Sequence, residues 1–138
     1  MLIDLGLESI VKNILSLDGK RIETGLQTPK LAQIAFWNEY GTSKIPARSF
    51  MRESLKGKSG IDLKRVIKNN IKALVCGQQT MMRTLNNIGS FHESQIVEII
   101  VDKDDPKNKD STVAQKGFDD PLIHKGTMRD SIKFIFYF

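Results

Sequence analysis

IDLKRVIKNNIKALVCGQQTMMRTLNNIGSFHESQIVEIIV, residues 61–101, is the stretch on which the fold turns. Leu63, Ile67, Ile71, Leu74, Gln78, Met81, Leu85, Ile88, His92, Gln95 and Ile99 recur at steps of three or four, the spacing that gathers side chains on one face of an α-helix. Unbroken, that helix would run about 60 Å at 1.5 Å per residue, which is long for a chain of 138 residues. Gly77 and Gly89 are where it can kink or divide, since glycine costs up to about 1 kcal/mol in a helix interior. The pattern predicts two helices or one kinked helix. Ser59, followed by Asp62, has the form of a capping box and places the helix start there.

Toward the N-terminus, Leu2, Ile3, Leu7, Ile10, Val11, Ile14 and Leu15 keep helical spacing. Asp18-Gly19 reads as a turn. Ile22, Thr24 and Leu26 then alternate with charged or polar neighbours as in a half-buried strand. Thr28-Pro29 starts a helix, threonine as cap and proline at the first turn. Leu31, Ile34, Ala35 and Asn38 share its inner face, and Gly41 ends it. Pro46 is expected to open a second short helix carrying Phe50, Met51 and Leu55, closed by Gly57 and Gly60. Toward the C-terminus, DKDDPKNKD (102–110) is a polar loop, and a mobile segment is expected over about 102–118. Thr127 and Asp130 bracket one helical turn. Ile132, Phe134, Phe136 and Phe138 alternate with Lys133, Ile135 and Tyr137, a strand aromatic on one face.

Composition narrows the function classes. Apolar residues are 40%, charged residues 27% and the net charge is +5, a single globular domain over residues 1–138 rather than a disordered chain. No apolar run approaches the ~18 residues of a membrane helix. The N-terminal stretch, with Asp4 and Glu8 and no basic lead, is not a secretory signal. One cysteine and two histidines cannot build an ordinary tetrahedral zinc site within the chain. No phosphate-binding glycine loop, nucleophile elbow or His-Glu-x-x-His is present. Cys76 reads as a core or boundary residue and His92 as a packed, hydrogen-bonded histidine. His124 near Asp119 and Asp120 lacks a nucleophile, so a small hydrolase has little support. No cofactor and no enzymatic activity are expected.

Two groups of residues remain. Lys64, Lys68 and Lys72 stand four apart, with Arg65 beside them, and so line one helix face as a candidate DNA-facing or lumen-facing row. They equally suit a solvated helix surface. The second group is NEYGTSKIPARSFMR, Asn38 to Arg52, where charged residues surround Tyr40, Ile45, Phe50 and Met51. It is either an ordinary helix connection or an assembly surface anchored by arginine and aromatic side chains. Positive charge alone also allows a small basic nucleic-acid-binding module.

NEYGTSKIPARSFMR resembles the segment, typically Glu-Phe-Gly-Thr followed by Ile-Pro-Ala-Arg-Pro-Phe, of the tailed-bacteriophage neck and tail-completion (head–tail joining) proteins, related to the virion-morphogenesis proteins of Mu-like phages. STVAQKGFDDPLIHKGTMRDSI, residues 111–132, is similar to that family's Ser-Thr, Lys-Gly, Pro-Leu-Ile, Thr-Gly and Ser-Ile pattern, in the same order. The two segments cover about a quarter of the chain. Ser49 departs from the family's second proline, and His124-Lys125 from its usual Asp-Thr.

The resemblance implies an α+β fold, helices packed on a small antiparallel sheet formed by the strand near residues 20–27 and the C-terminal strand. It implies a structural virion protein without catalysis, a homo-oligomeric ring of six copies at the head–tail junction or tail end. Its partners would be neck, connector and tail-tube or terminator proteins, with non-specific DNA contact, in a virion assembled in the host cytoplasm. The assembly surface carried over is Asn38, Glu39, Tyr40, Thr42, Ile45, Ala47, Arg48 and Phe50, with Gly41 and Pro46 shaping its turn. Arg52, Phe134 and Phe136 are added from their residue types. Arg48 is the expected charged anchor, its planar fork suited to a carboxylate or carbonyls.

Overall fold

A computed structural model describes residues 6–103, 114 and 127–138. In chain order the elements are α1 (Leu7–Leu15), β1 (Arg21–Leu26), α2 (Pro29–Tyr40), α3 (Met51–Ser54), α4 (Gly57–Val75), α5 (Met81–Val101), α6 (Thr127–Asp130) and β2 (Ile132–Tyr137). The fold is α+β, with a two-stranded antiparallel sheet. Its register runs without interruption from Arg21 opposite Tyr137 to Leu26 opposite Ile132. The loop expected over about 102–118 lies, beyond Lys103 and apart from Ala114, outside the described residues. So do the turn around Pro121 and Gly126, His124, Asp119 and Asp120.

The long periodic stretch is two helices. Gly77 takes φ 72°, a left-handed conformation that ends the α4 ladder at low cost for glycine. The Thr80 hydroxyl then caps α5 by accepting from the Arg83 amide at 3.2 Å. Amide side chains hold the hairpin beside this turn. Gln79 Nε2 donates to Asn70 Oδ1 (3.0 Å) and Thr84 Oγ1 (2.8 Å), and Asn87 Nδ2 donates to Asn70 Oδ1 (2.9 Å). Gly89 lies inside α5 and does not break it.

Two helix starts differ from the sequence reading. The helix after the break at residue 55 begins at Gly57, ahead of the Ser59 box, and Asp62 pairs with Arg65 at 2.6 Å instead of capping. Gly60 is therefore inside α4, where a Cβ would sit 2.4 Å from the Leu55 carbonyl oxygen. Pro46 does not open a helix; α3 starts only at Met51. Thr28 occupies the N-cap of α2 without a side-chain hydrogen bond. Cys76 is exposed rather than part of the core.

The main core gathers Ala35, Phe50, Ile96, Ile100, Met128 and Ile132, from α2, the start of α3, the second half of α5, α6 and β2. The sheet lies on α5. Phe134 packs so closely on Gly89 that a Cβ there would fall 2.3 Å from the ring. By contrast, α1 has no buried residue. It meets α4 through Asn13, whose Nδ2 donates to the Leu74 carbonyl at 3.0 Å.

The Gly89–Phe134 contact sets a test. Alanine gains up to about 1 kcal/mol over glycine in a helix, whereas overpacking costs about 1–3 kcal/mol. Gly89→Ala should therefore lower the unfolding free energy in urea, and a stabilised variant would show that α5 and β2 are not in this contact.

Candidate assembly surface

The segment from Asn38 to Arg52 is organised by one carboxylate. Glu39 points inward from the last turn of α2 and is 4% exposed. Its Oε2 accepts the amides of Phe50 (2.8 Å) and Met51 (2.9 Å), and its Oε1 accepts the amide of Arg52 (3.1 Å) and Arg52 Nε (2.9 Å). Arg52 Nη2 also donates to the Glu39 carbonyl at 2.9 Å. The carboxylate thus satisfies the free amides that open α3. Burial alone would raise the Glu39 pKa. The hydrogen bonds from the Arg52 side chain and from the amides of Arg52, Met51 and Phe50 outweigh it and hold the pKa below the ordinary 4.5.

Between the two helices the chain makes a closed turn. Gly41, at φ 76°, lies so near the returning strand of chain that a Cβ would meet the Ala47 nitrogen at 2.8 Å. The Thr42 amide donates to the Ile45 carbonyl (2.7 Å), and the Thr42 hydroxyl accepts from the Ile45 amide (3.0 Å). The Arg48 amide donates to the Asn38 carbonyl at 2.6 Å, while Asn38 Nδ2 turns back to the Ile34 carbonyl at 2.9 Å.

The expected surface therefore separates into two sets. Glu39, Arg48 (5% exposed) and Phe50 (0%) are buried in the protomer. They build the connection, so Glu39, Arg48 and Phe50 are corrected from partner contacts to fold residues. Tyr40, Thr42 and Arg52 are on the outside, with Asn38 and Ile45 half-exposed or more covered. The Arg52 guanidinium lies 4.8 Å from the centre of the Tyr40 ring.

Two residues missed in the sequence complete the outer set. Phe36 is 59% exposed and Trp37 39%, and the Phe36 and Tyr40 ring centres are 4.8 Å apart. A shallow cavity of about 250 Å³ is lined by Phe36, Tyr40 and Arg52 together with Leu26, Ala35 and Met51. The signal was present: Leu31, Ile34, Ala35 and Asn38 already fill the inner face, so aromatics at 36, 37 and 40 make a second apolar face, left partly exposed among the described residues.

The other candidates lie elsewhere. Lys64, Arg65, Lys68 and Lys72 are all exposed on α4, and the Arg65 charge is engaged by Asp62. Phe134 and Phe136 are half-buried, their rings stacked at 6.3 Å on the helix-facing side of the sheet. Phe134 packs on Gly89 of α5, and both rings keep part of their surface exposed. His92 is held at 2.9 Å from the buried Ser54 hydroxyl, and burial lowers its pKa from the ordinary 6.5.

Among the described residues no group of three or more histidine, cysteine or carboxylate side chains is placed to hold a metal ion. No described helix is long and apolar enough to cross a membrane. No family model, curated protein or solved structure matches the chain.

Glu39→Ala orphans three backbone amides, and each buried unpaired group costs about 1–3 kcal/mol. A loss of about 3 kcal/mol or more in chemical denaturation is expected. Because the folded pKa of Glu39 is depressed, its contribution is complete above about pH 4.5 and is lost as pH falls through the folded value. Glu39→Gln should therefore show a shallower loss of stability below about pH 4.5 than the parent chain. Arg48→Ala should lower the melting temperature by several degrees, as removal of a buried side chain does; an unchanged melting curve would return Arg48 to the surface.

Proposed function

We propose that this chain is a structural subunit that works by assembling, a ring-forming protein of a phage head–tail junction or tail end, without catalysis. The observation that carries the reading is the uncovered Phe36, Trp37, Tyr40 and Arg52 group. Exposed aromatics capped by arginine have the composition of interface anchors, and large apolar patches on a protomer mark sites of contact. The group stands on the same connection that carries the NEYGTSKIPARSFMR resemblance. Six-fold symmetry, the neck, connector and tail-tube partners and the virion location come from that resemblance. A ring needs two different faces on each copy, in a head-to-tail arrangement whose rotation closes.

Sedimentation and electron microscopy of the purified protein test this reading. Rings or defined oligomers are expected, alone or with neighbouring virion proteins. Phe36→Ser combined with Trp37→Ser should weaken association at least about tenfold, as loss of an anchor does, with little change in melting temperature. A chain that remains monomeric at high micromolar concentration and with those partners sinks the proposal.

The exposed row of Lys64, Lys68 and Lys72 favours a second reading, non-specific nucleic-acid contact. Binding would then fall steeply with salt, with a slope near −0.9 per neutralised phosphate. Replacing the three lysines with glutamate should flatten that slope, and a slope unchanged in the triple variant would remove the row from the binding.

A further inference from the structure

The sheet has only two strands, and each has one side without a neighbour among the described residues. No backbone group of β1 or β2 is bonded outside their own ladder there. In an antiparallel pair every second residue turns its N–H and C=O away from the partner, so each strand offers a row of free donors and acceptors. Such edges are ordinarily blunted by proline, bulges, charged side chains or a covering element. Neither RIETGL nor IKFIFY contains proline, their register has no bulge, and the charges they carry are engaged within the copy, Arg21 with Glu23 and Lys133 with Glu93.

Resting on the reading of the chain as a ring subunit, we propose that copies join edge to edge, the open edge of β2 in one copy adding to the open edge of β1 in the next. β1 and β2 run in opposite directions, so this addition continues the antiparallel alternation from copy to copy. A second copy is the occupant because it alone uses both edges. A foreign strand or a two-fold pair leaves edges open, whereas a closed succession of copies leaves none.

The consequence is a defined inner surface. α5 covers one face of the sheet, so closure with the helices outside turns Arg21, Glu23, Lys133 and Tyr137 inward. Within a copy these are already linked, Arg21 to Glu23 at 3.1 Å and Arg21 to the Tyr137 ring at 4.7 Å. The bore would carry two positive side chains and one negative per copy, and the α4 lysine row would lie away from it.

Amide-resolved hydrogen exchange on the full chain, before and after assembly, tests the proposal. Protection should rise at least about tenfold at alternate amides within 21–26 and 132–137. Assembly with those amides unchanged overturns edge joining while leaving the ring reading intact; no assembly under any condition overturns both. Ile135→Lys gives a second measure. Ile135 is 39% exposed on the outward face, so the variant should melt like the parent. Lysine on a joining strand disfavours addition, so its association should be weakened about tenfold or more. Undiminished association would count against the edge.

Discussion

Glu39 carries a charge into the protein and surrounds it with four hydrogen-bond donors. A carboxylate that is nearly inaccessible is costly unless its lone pairs are satisfied, and here the donors come from the opening turn of α3 and from Arg52. Much of the surrounding arrangement depends on this. With the carboxylate in place, the chain leaving α2 must return within ten residues, which requires the left-handed Gly41 and the tight Thr42–Ile45 turn. That return delivers Phe50 into the core at 0% exposure. Arg52, fixed at the same point, has its guanidinium left over Tyr40. The interior bond and the exterior patch are two sides of one constraint.

This explains why a helix with little amphipathic contrast is nonetheless ordered. α2 is apolar inside and aromatic outside, and its inner face is secured by the core and by Glu39. The aromatic face is then free for another use. A surface of this kind is expensive to leave in water, and the assembly proposed above would remove it. Elsewhere among the described residues, polar side chains serve turns, the α5 cap and the amide cluster around Asn70, and the Ser54–His92 contact joins α3 to α5.

The periodicity of residues 61–101 was enough to read both long helices, because each buries one stripe against the other and against the sheet. The strands were legible from alternation over 22–26 and 132–138. The beginnings of helices were less so. Ser59 and Asp62 have the right spacing for a cap, yet packing of Gly60 against the Leu55 carbonyl carries the helix back to Gly57. Pro46 has the right geometry for a first turn, but the Glu39 carboxylate places that turn at Met51. Arg48 and Phe50 were read as interface residues because they match the resembled segment and because arginine and aromatic side chains are favoured anchors. Only the long-range hydrogen bonds of Glu39 reveal that the segment folds inward. Phe36 and Trp37 were obscured for the opposite reason, since apolar residues in a helix suggest a core until its inner face has been counted.

α1 stands apart in this scheme. It buries none of its residues, and among the described residues its side chains hydrogen-bond to other elements through Asn13, to the Leu74 and Val75 carbonyls. Cooperative units with few buried apolar contacts open at low free energy, independently of global unfolding. These features predict that α1 opens at lower free energy than the sheet, the α4–α5 hairpin and the Glu39 connection. Its sequence is correspondingly free of the packing constraints that bind the remainder, and insertions or fusions there would be the least felt by the core.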